Sequence, residues 1–408
     1  MSVPNLRFKE FDGDWAKISF QTLFDFKNGI NASKEQYGSG TKFINVLDII
    51  NNTNGITYDS IIGSVQVSAK EIEKNIVNYG DVLFQRSSET REEVGQSNVY
   101  LSNKPVVFGG FVIRGSAKIP YDPLFMNGLL KTDKIRDQIT QLGGGSTRFN
   151  IGQDSLNKVL VDFPQQEEQT KIASFLSTVD EKISQLNQKH RLLSEYKQGM
   201  MQKLFSQQLR FKADDGGEFG EWEETTLDKK GIFLKGKGIS KADIVEDGIL
   251  PCIRYGELYT QYGEVISKII SATNLDSDSL VLSKANDVLI PASGETQIDI
   301  ATASCVLDDD IALSGDLNIY RTKENGIFLS YLIRSHLKMQ IAQLAQGNSV
   351  VHLYSSQLKT IKLNLPCLEE QTKIANFLSA IDQKIEVVAQ QIEQAKTWKK
   401  GLLQQMFV

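Results

Sequence analysis

EEQTKIASFLSTVDEK at residues 167–182 returns as EEQTKIANFLSAIDQK at residues 369–384, 202 positions further along the chain. A match this long inside one chain marks a duplication. One pair of copies at that spacing makes a two-fold object, unlike the roughly 20–50-residue periods that build solenoids. At the same offset Gly199, Gln202 and Phe205 match Gly401, Gln404 and Phe407. Upstream, GGGSTRFNIGQDSLNKVLVDFP (143–164) aligns with AQGNSVVHLYSSQLKTIKLNLP (345–366), and GDVLFQRSSET (80–90) with NDVLIPASGET (286–296). LRFK at 6–9 recurs at 209–212, followed by Trp15 and Trp222. The chain therefore reads as globular unit (1–164), helix (165–208), globular unit (209–366) and helix (367–408).

Each repeated stretch opens a long heptad pattern. In the first, Ile172, Leu176, Val179, Ile183, Leu186, His190, Leu193, Lys197, Met200 and Leu204 follow steps of four and three. The second reads Ile374, Leu378, Ile381, Ile385, Val388, Ile392, Ala395, Lys399, Leu402 and Met406. An a/d stripe this long, with Pro164 and Pro366 just ahead and no proline inside, predicts two helices packed as a coiled coil. A two-fold relation between the halves makes them antiparallel. About 38 residues give roughly 57 Å of rod. Lys197 and Lys399 fall on the stripe near the helix ends, where the stems are expected to pack while the ammonium groups reach solvent.

The globular units mix β-like runs with turn signals. TKFINVLDI (41–49), DVLFQ (81–85), KPVVFGGFVIR (104–114), DVLIP (287–291) and DLNIYR (316–321) read as strands. DPLFMNGLLKTDKIRDQITQL (122–142) and NGIFLSYLIRSHLKMQIAQL (325–344) carry helical periodicity, and each leads into a small polar loop. The fold class is a mixed α+β architecture: two tandem domains separated by two long helices packed as an antiparallel coiled coil with pseudo-two-fold symmetry.

Composition narrows the chemistry. Cys252, Cys305 and Cys367 lack metal-ligand spacing and fit reduced thiols of a cytoplasmic protein. No apolar run approaches the roughly 18 residues of a membrane span, and the first residues carry no signal architecture. Net charge is −5, balanced at 18 basic and 18 acidic side chains in 1–164 but 16 and 22 in 209–366. A nucleic-acid ligand would thus need the cations segregated onto one face, or partners that supply much of the phosphate neutralisation. There is no Pro-Pro pair for an adenine methyltransferase motif; Asp122-Pro123-Leu124 is the nearest approach. GIFLKGKG (231–238) imitates a phosphate loop but places Gly238 where Ser or Thr should hold Mg²⁺. The three histidines are scattered, and no nucleophile sits in a catalytic signature.

Two globular units, each followed by EEQTKIAxFLSxxDxKI and a heptad helix, resemble the specificity subunit of type I restriction–modification enzymes. LRF near the start, the GDVLF-type strand, and the Gly-Ser/Thr loop before Pro and EEQ match as well, so the resemblance covers the whole chain. It implies a non-catalytic DNA-binding subunit in which each unit is a target recognition domain for one half of a split, asymmetric site. The helices would set the spacer and hold two modification (methyltransferase) subunits carrying S-adenosylmethionine. Two restriction subunits using ATP and Mg²⁺ would complete the assembly, leaving this chain without a cofactor. The rival reading is a coiled-coil adaptor with no sequence-specific DNA binding.

Base and phosphate contacts need polar, planar or cationic side chains on loops. In the first unit these are Asn31, Ser33, Lys34, Gln36, Tyr37, Arg86, Ser87, Ser88, Ser146, Thr147 and Arg148. In the second they are Lys237, Ser240, Lys241, Arg254, Tyr255, Ser293, Thr296, Asn348, Ser349 and His352.

Overall fold

A computed structural model describes residues 3–52, 54–347 and 350–407. The chain divides into two compact units. Unit 1 comprises residues 1–188 with 390–408, and unit 2 comprises residues 189–389. Each unit holds one globular part and a stretch of both long helices, Gln166–Phe205 and Leu368–Met406.

In unit 1 the central sheet has the order Phe24–Asn28, Val112–Ala117, Val82–Gln85, Ser97–Val99, antiparallel throughout. A second sheet joins Ser64–Val65, Tyr37–Ile44 and Val107–Phe108. Unit 2 repeats the order with Gly231–Lys235, Leu317–Thr322, Val288–Pro291 and Ser304–Val306, then adds Val265–Ile266 at the edge. In both units a strand just after the LRFK segment pairs antiparallel with the strand that leads into the long helix: Ala16–Ser19 with Leu160–Phe163, and Glu223–Thr226 with Lys362–Leu365. The ends of each globular part are thereby tied together at the helix start.

Four of the expected elements are broken. The run 41–49 is a strand only to Ile44, because Asn45 and Asp48 form a capping box that starts the helix Val46–Asn51. The run 104–114 turns at Gly109–Gly110, so Val107–Phe108 and Val112–Ala117 belong to different sheets. The helical stretches 122–142 and 325–344 are each two helices, Pro123–Leu129 with Asp133–Leu142 and Gly326–Arg334 with Lys338–Leu344. Thr132 at the first break sits in an extended conformation ahead of Asp133, the geometry of an N-cap rather than of helix interior.

The two long helices pack together as a coiled coil. In unit 1 the core gathers Ile172, Leu176 and Val179 with Leu402, Met406 and Phe407. In unit 2 it gathers Leu204 and Phe205 with Ile374, Leu378 and Ile381. Within each unit the beginning of one helix thus lies beside the end of the other, which is antiparallel packing. Along the stripe, Leu186, Val388 and Ile392 are also buried, and Ile183, Leu193 and Ile385 are half-buried. The ammonium groups of Lys197 and Lys399 do not escape to solvent. Lys197 pairs with Asp382 at 2.7 Å and Glu264 at 3.0 Å, and Lys399 pairs with Asp180. The covered ammonium groups are paired, by Asp180 and Asp382 from the facing long helix and by Glu264 from the loop before Val265–Ile266, as a charge withdrawn from water must be. Asp180 and Asp382 are themselves 202 residues apart, so the two pairs are one contact made twice.

Candidate nucleic-acid interface

The duplicated EEQ motif is the anchor that positions each globular part on its helix. Glu168, buried, accepts from Arg7 Nε and Nη2 at 2.8 Å each, and Arg7 also donates to the carbonyls of Asp12 and Gly13. Gln169 donates to the Pro164 carbonyl at 2.9 Å and accepts from the Asp122 backbone N–H at 3.0 Å. Unit 2 repeats this set: Glu370 accepts from Arg210 at 3.1 and 2.7 Å, and Gln371 bridges the Pro366 carbonyl to the Asn325 N–H. Hydrogen bonds to Glu168 and Glu370 hold both guanidinium groups above their ordinary pKa. Trp222 adds an indole bond to Glu370 at 3.2 Å, whereas the buried Trp15 Nε1 makes none.

Beyond this anchor, backbone pairing gathers one edge of loops in unit 1. Arg86 N–H donates to the Phe111 carbonyl at 2.8 Å, Ile151 N–H donates to the Arg86 carbonyl at 3.0 Å, and Gly110 N–H donates to the Ile30 carbonyl at 2.9 Å. Ser87–Ser88 pairs antiparallel with Phe149–Asn150. Asn31, Arg86, Ser87 and the loop Ser146, Thr147, Arg148 therefore share that edge, and all are exposed except the half-buried Ser87. Gly145 closes the last loop at φ +132, where an added Cβ would lie 1.9 Å from the Arg148 carbonyl oxygen.

Other expected contacts in unit 1 are already committed to local structure. Gln36 caps the turn that begins at Ser33 and donates to the Gln66 carbonyl, while the Ser33 hydroxyl donates to Glu35 and lowers its pKa. Ser88 is buried and donates to the Thr90 carbonyl at 2.6 Å. Lys34 and Tyr37 remain exposed, the Tyr37 ring resting edge-on against Phe43.

Unit 2 builds the same edge from equivalent bonds. Lys237 N–H donates to the Leu313 carbonyl, Ala292 N–H to the Asp316 carbonyl, and Leu353 N–H to the Ala292 carbonyl. Ser293–Gly294 pairs with Val351–His352, and the Ser293 hydroxyl lies 3.1 Å from His352 Nδ1. Lys237, Ser293 and His352 are thus brought together. Ser240 is tied to Asp243, Arg254 to Glu257 at 2.9 Å, and Thr296 to Asp299, so these three serve turns and caps. Tyr255 is half-buried against the second core of the unit, and Lys241 is exposed. Asn348 and Ser349 lie outside the described residues.

The two edges share a frame but not a surface. Arg86 in unit 1 stands where Ala292 stands in unit 2, Phe111 where Asp316 stands, and Asn150 where His352 stands. Exposed Phe111 and Asp316 were missed by sequence reasoning because 104–114 and 316–321 each read as strand throughout; the Gly109-Gly110 pair and Gly315 were the signals of turns. Arg91, stacked 5.2 Å over Phe149, was missed as well. Among the described residues no group of three or more His, Cys, Asp or Glu side chains is placed to hold a metal ion.

A family model described as the type I restriction modification DNA specificity domain matches residues 13–194 and again 220–397. The chain is 25% identical over 406 residues to the putative type I restriction enzyme MjaX specificity subunit of Methanocaldococcus jannaschii, covering 97% of this chain and 93% of that one. It is 27% identical to the MjaVIII specificity subunit of the same organism over 359 residues, 83% of this chain and 80% of the other. Among solved structures, the S subunit of a type I restriction-modification system from M. genitalium superposes with a TM-score of 0.56 at 18% identity, covering 100% and 99% of the two chains. The HsdS subunit from Thermoanaerobacter tengcongensis gives 0.51 at 15% identity over 97% of each. At such identities these structures speak for the fold alone.

Proposed function

This chain belongs to the family of type I restriction modification DNA specificity domains, and from that membership we propose that its two units read the unlike halves of one split DNA target. It is a specificity subunit and, like its family, supplies recognition rather than catalysis. The recognition domains are 1–164 and 209–366, and the segments 165–208 and 367–408 are the spacer helices. The adaptor reading without DNA binding is not favoured, since the DNA specificity family matches both halves.

The observation that carries the reading is the pair of loop edges with one backbone frame and different side chains. Arg86 offers a planar cation suited to guanine O6 and N7 in the major groove, whereas unit 2 offers Ala292 flanked by Lys237, Asp316 and His352. Unlike readers imply unlike half-sites, hence a target that is not a palindrome. Modules reading the major groove from one side of B-DNA favour centres about 34–36 Å apart. A 40-residue helix is roughly 60 Å long, sufficient to span that distance and still anchor both modules.

Two modification subunits bearing S-adenosylmethionine would dock on the helices and methylate adenine in each half, with two restriction subunits using ATP and Mg²⁺ in the complete assembly. Exposed Tyr196 and Trp398, 202 residues apart on the two helices, are the aromatic anchors best suited to that docking. Among the described residues no helix is long and apolar enough to cross a membrane, and we place the assembly in the cytoplasm with its DNA.

Mapping methylated adenines in DNA exposed to the complex tests the proposal. Exchanging residues 1–164 for the corresponding unit of another family member should change one half of the methylated site and leave the other intact. A change in both halves, or in neither, refutes it.

A further inference from the structure

Lys197 and Lys399 are equivalent by repeat, yet their surroundings differ in charge. In unit 2 Lys197 faces two carboxylates, Glu264 and Asp382, and lies 5.1 Å from the ring centroid of Tyr331. The neighbouring Arg334 is satisfied by the carbonyls of Ala303, Leu258 and Tyr262. In unit 1 Lys399 has one carboxylate, Asp180, and the neutral Asn54 amide oxygen at 3.4 Å where Lys197 has Glu264. Gly128 takes the place of Tyr331, and a cavity of about 230 Å³ opens beside it.

An adjoining cleft of about 410 Å³ in the same unit is lined by Lys131, Arg136, Lys396, Lys399 and Lys400. Five cationic side chains thus line one cleft, in a protein whose net charge is −5, and the carboxylates paired with them are Asp180 on Lys399 and Glu393 on Lys396, the latter at 2.7 Å. Burial and the nearby Lys399 pull Lys131 down to about 8, the response of an ammonium held in a positive field. Arg136 is committed through Nη2 to the carbonyls of Glu92 and Val94, while its Nη1 is buried without a hydrogen-bond partner. At the positions of Lys396 and Lys400, unit 2 carries Ser194 and Gln198.

We propose that this cleft of unit 1 binds phosphate groups of the DNA backbone beside the half-site that unit 1 reads. The proposal rests on the reading of the chain as a DNA specificity subunit, and it adds where unit 1 grips sequence-independently. Its occupant is a polyanion, because five cations line the cleft and the two carboxylates of Asp180 and Glu393 do not neutralise them all. A protein subunit docking equally on both repeats would call for the same charges twice, and Ser194 and Gln198 do not supply them. The exposed loop edge of unit 1 contributes few cations, chiefly Lys34, Arg86 and Arg148, so DNA affinity calls for further phosphate neutralisation, and this cleft is the cationic cluster of unit 1 placed to add to what partner subunits supply.

The test uses the chain assembled with its modification subunits and a double variant, Lys396→Gln with Lys400→Gln. Both lysines are exposed, so the fold is preserved. DNA affinity is measured against salt concentration, and subunit composition by native mass spectrometry. The expected result is DNA binding about tenfold weaker at low salt. The slope of log K against log[salt] should be shallower by about 1 to 2, with the methylated sequence unchanged. An unchanged slope and affinity overturns the proposal. Loss of a modification subunit with an unchanged slope overturns it as well, in favour of an acidic protein partner. If instead the unaltered complex shows no sequence preference on DNA, the specificity reading fails, and the salt slope of its non-specific binding still decides the cleft.

Discussion

Truncating the buried glutamate of each EEQ motif probes the anchor with an internal control, because the two copies differ by one hydrogen bond. Glu370→Ala removes two bonds from Arg210 and one from Trp222, whereas Glu168→Ala removes two bonds from Arg7. Removing one partner of a buried ion pair costs about 3–5 kcal/mol. Both arginines keep backbone carbonyl acceptors, at Gly220 for Arg210 and at Asp12 and Gly13 for Arg7. That moves the expectation for Glu168→Ala to the lower end, about 3 kcal/mol. The lost indole bond to a charged acceptor adds about 1.5 kcal/mol for Glu370→Ala. Trp222 lies in unit 2, and Trp15 and Trp398 lie in unit 1, so variants retaining Trp222 or Trp15 alone report each unit separately by fluorescence. A chain of two units need not unfold in one step, so the comparison is between midpoints of each unit's own transition. With a urea dependence of about 2–3 kcal/mol/M, the midpoint should fall by about 1 M for Glu168→Ala and about 1.5–2 M for Glu370→Ala. Equal shifts, or a larger shift for Glu168→Ala, would refute the assignment of Trp222 to the anchor. Shifts under about 0.3 M in both would refute the anchor itself.

Lys131→Met should stabilise unit 1 at pH 7 by about 2 kcal/mol, since the native chain there holds a buried ammonium at a cost. Above pH 8 the folded state releases that proton while the unfolded state retains it up to about 10.5, so the wild type gains stability across this window and the variant's advantage fades; an advantage constant with pH in thermal melts would contradict the burial. Alkylation of the native protein at pH 8 should modify Cys367, which is exposed, and spare Cys252 and Cys305, whose thiols burial pushes up to about 11 and about 12; mass spectrometry showing all three labelled at one rate would contradict it. Leu378→Ala, at a fully buried stripe position, should cost about 2–5 kcal/mol, and Leu192→Ala, on the exposed helix face, within about 0.5; similar losses in chemical denaturation would place the stripe wrongly.

The repeated EEQ stretch, the heptad stripes and the division into related halves were legible in the sequence because each is local. A helix stripe needs only its own 3.5-residue period, and a duplication needs only two segments of the same text. Side-chain partners were not legible, because they lie far apart along the chain. Glu168 meets Arg7 across 161 residues, and Lys399 meets Asn54 across 345. The same limit explains the broken elements. An apolar run such as 104–114 looks continuous until the Gly109–Gly110 turn sends its halves to different sheets. Among the loop residues, polarity alone could not separate those that cap a turn, such as Gln36, Arg254 and Thr296, from those left exposed on the edge, such as Asn31, Arg86 and His352. The sequence by itself determined that there are two related units and two paired helices, since periodicity and repetition are properties of the chain. Which polar groups face outward, and that cations line one cleft of unit 1 while Lys197 of unit 2 meets two carboxylates, was decided only by tertiary structure, which sets distances between residues that no local pattern connects.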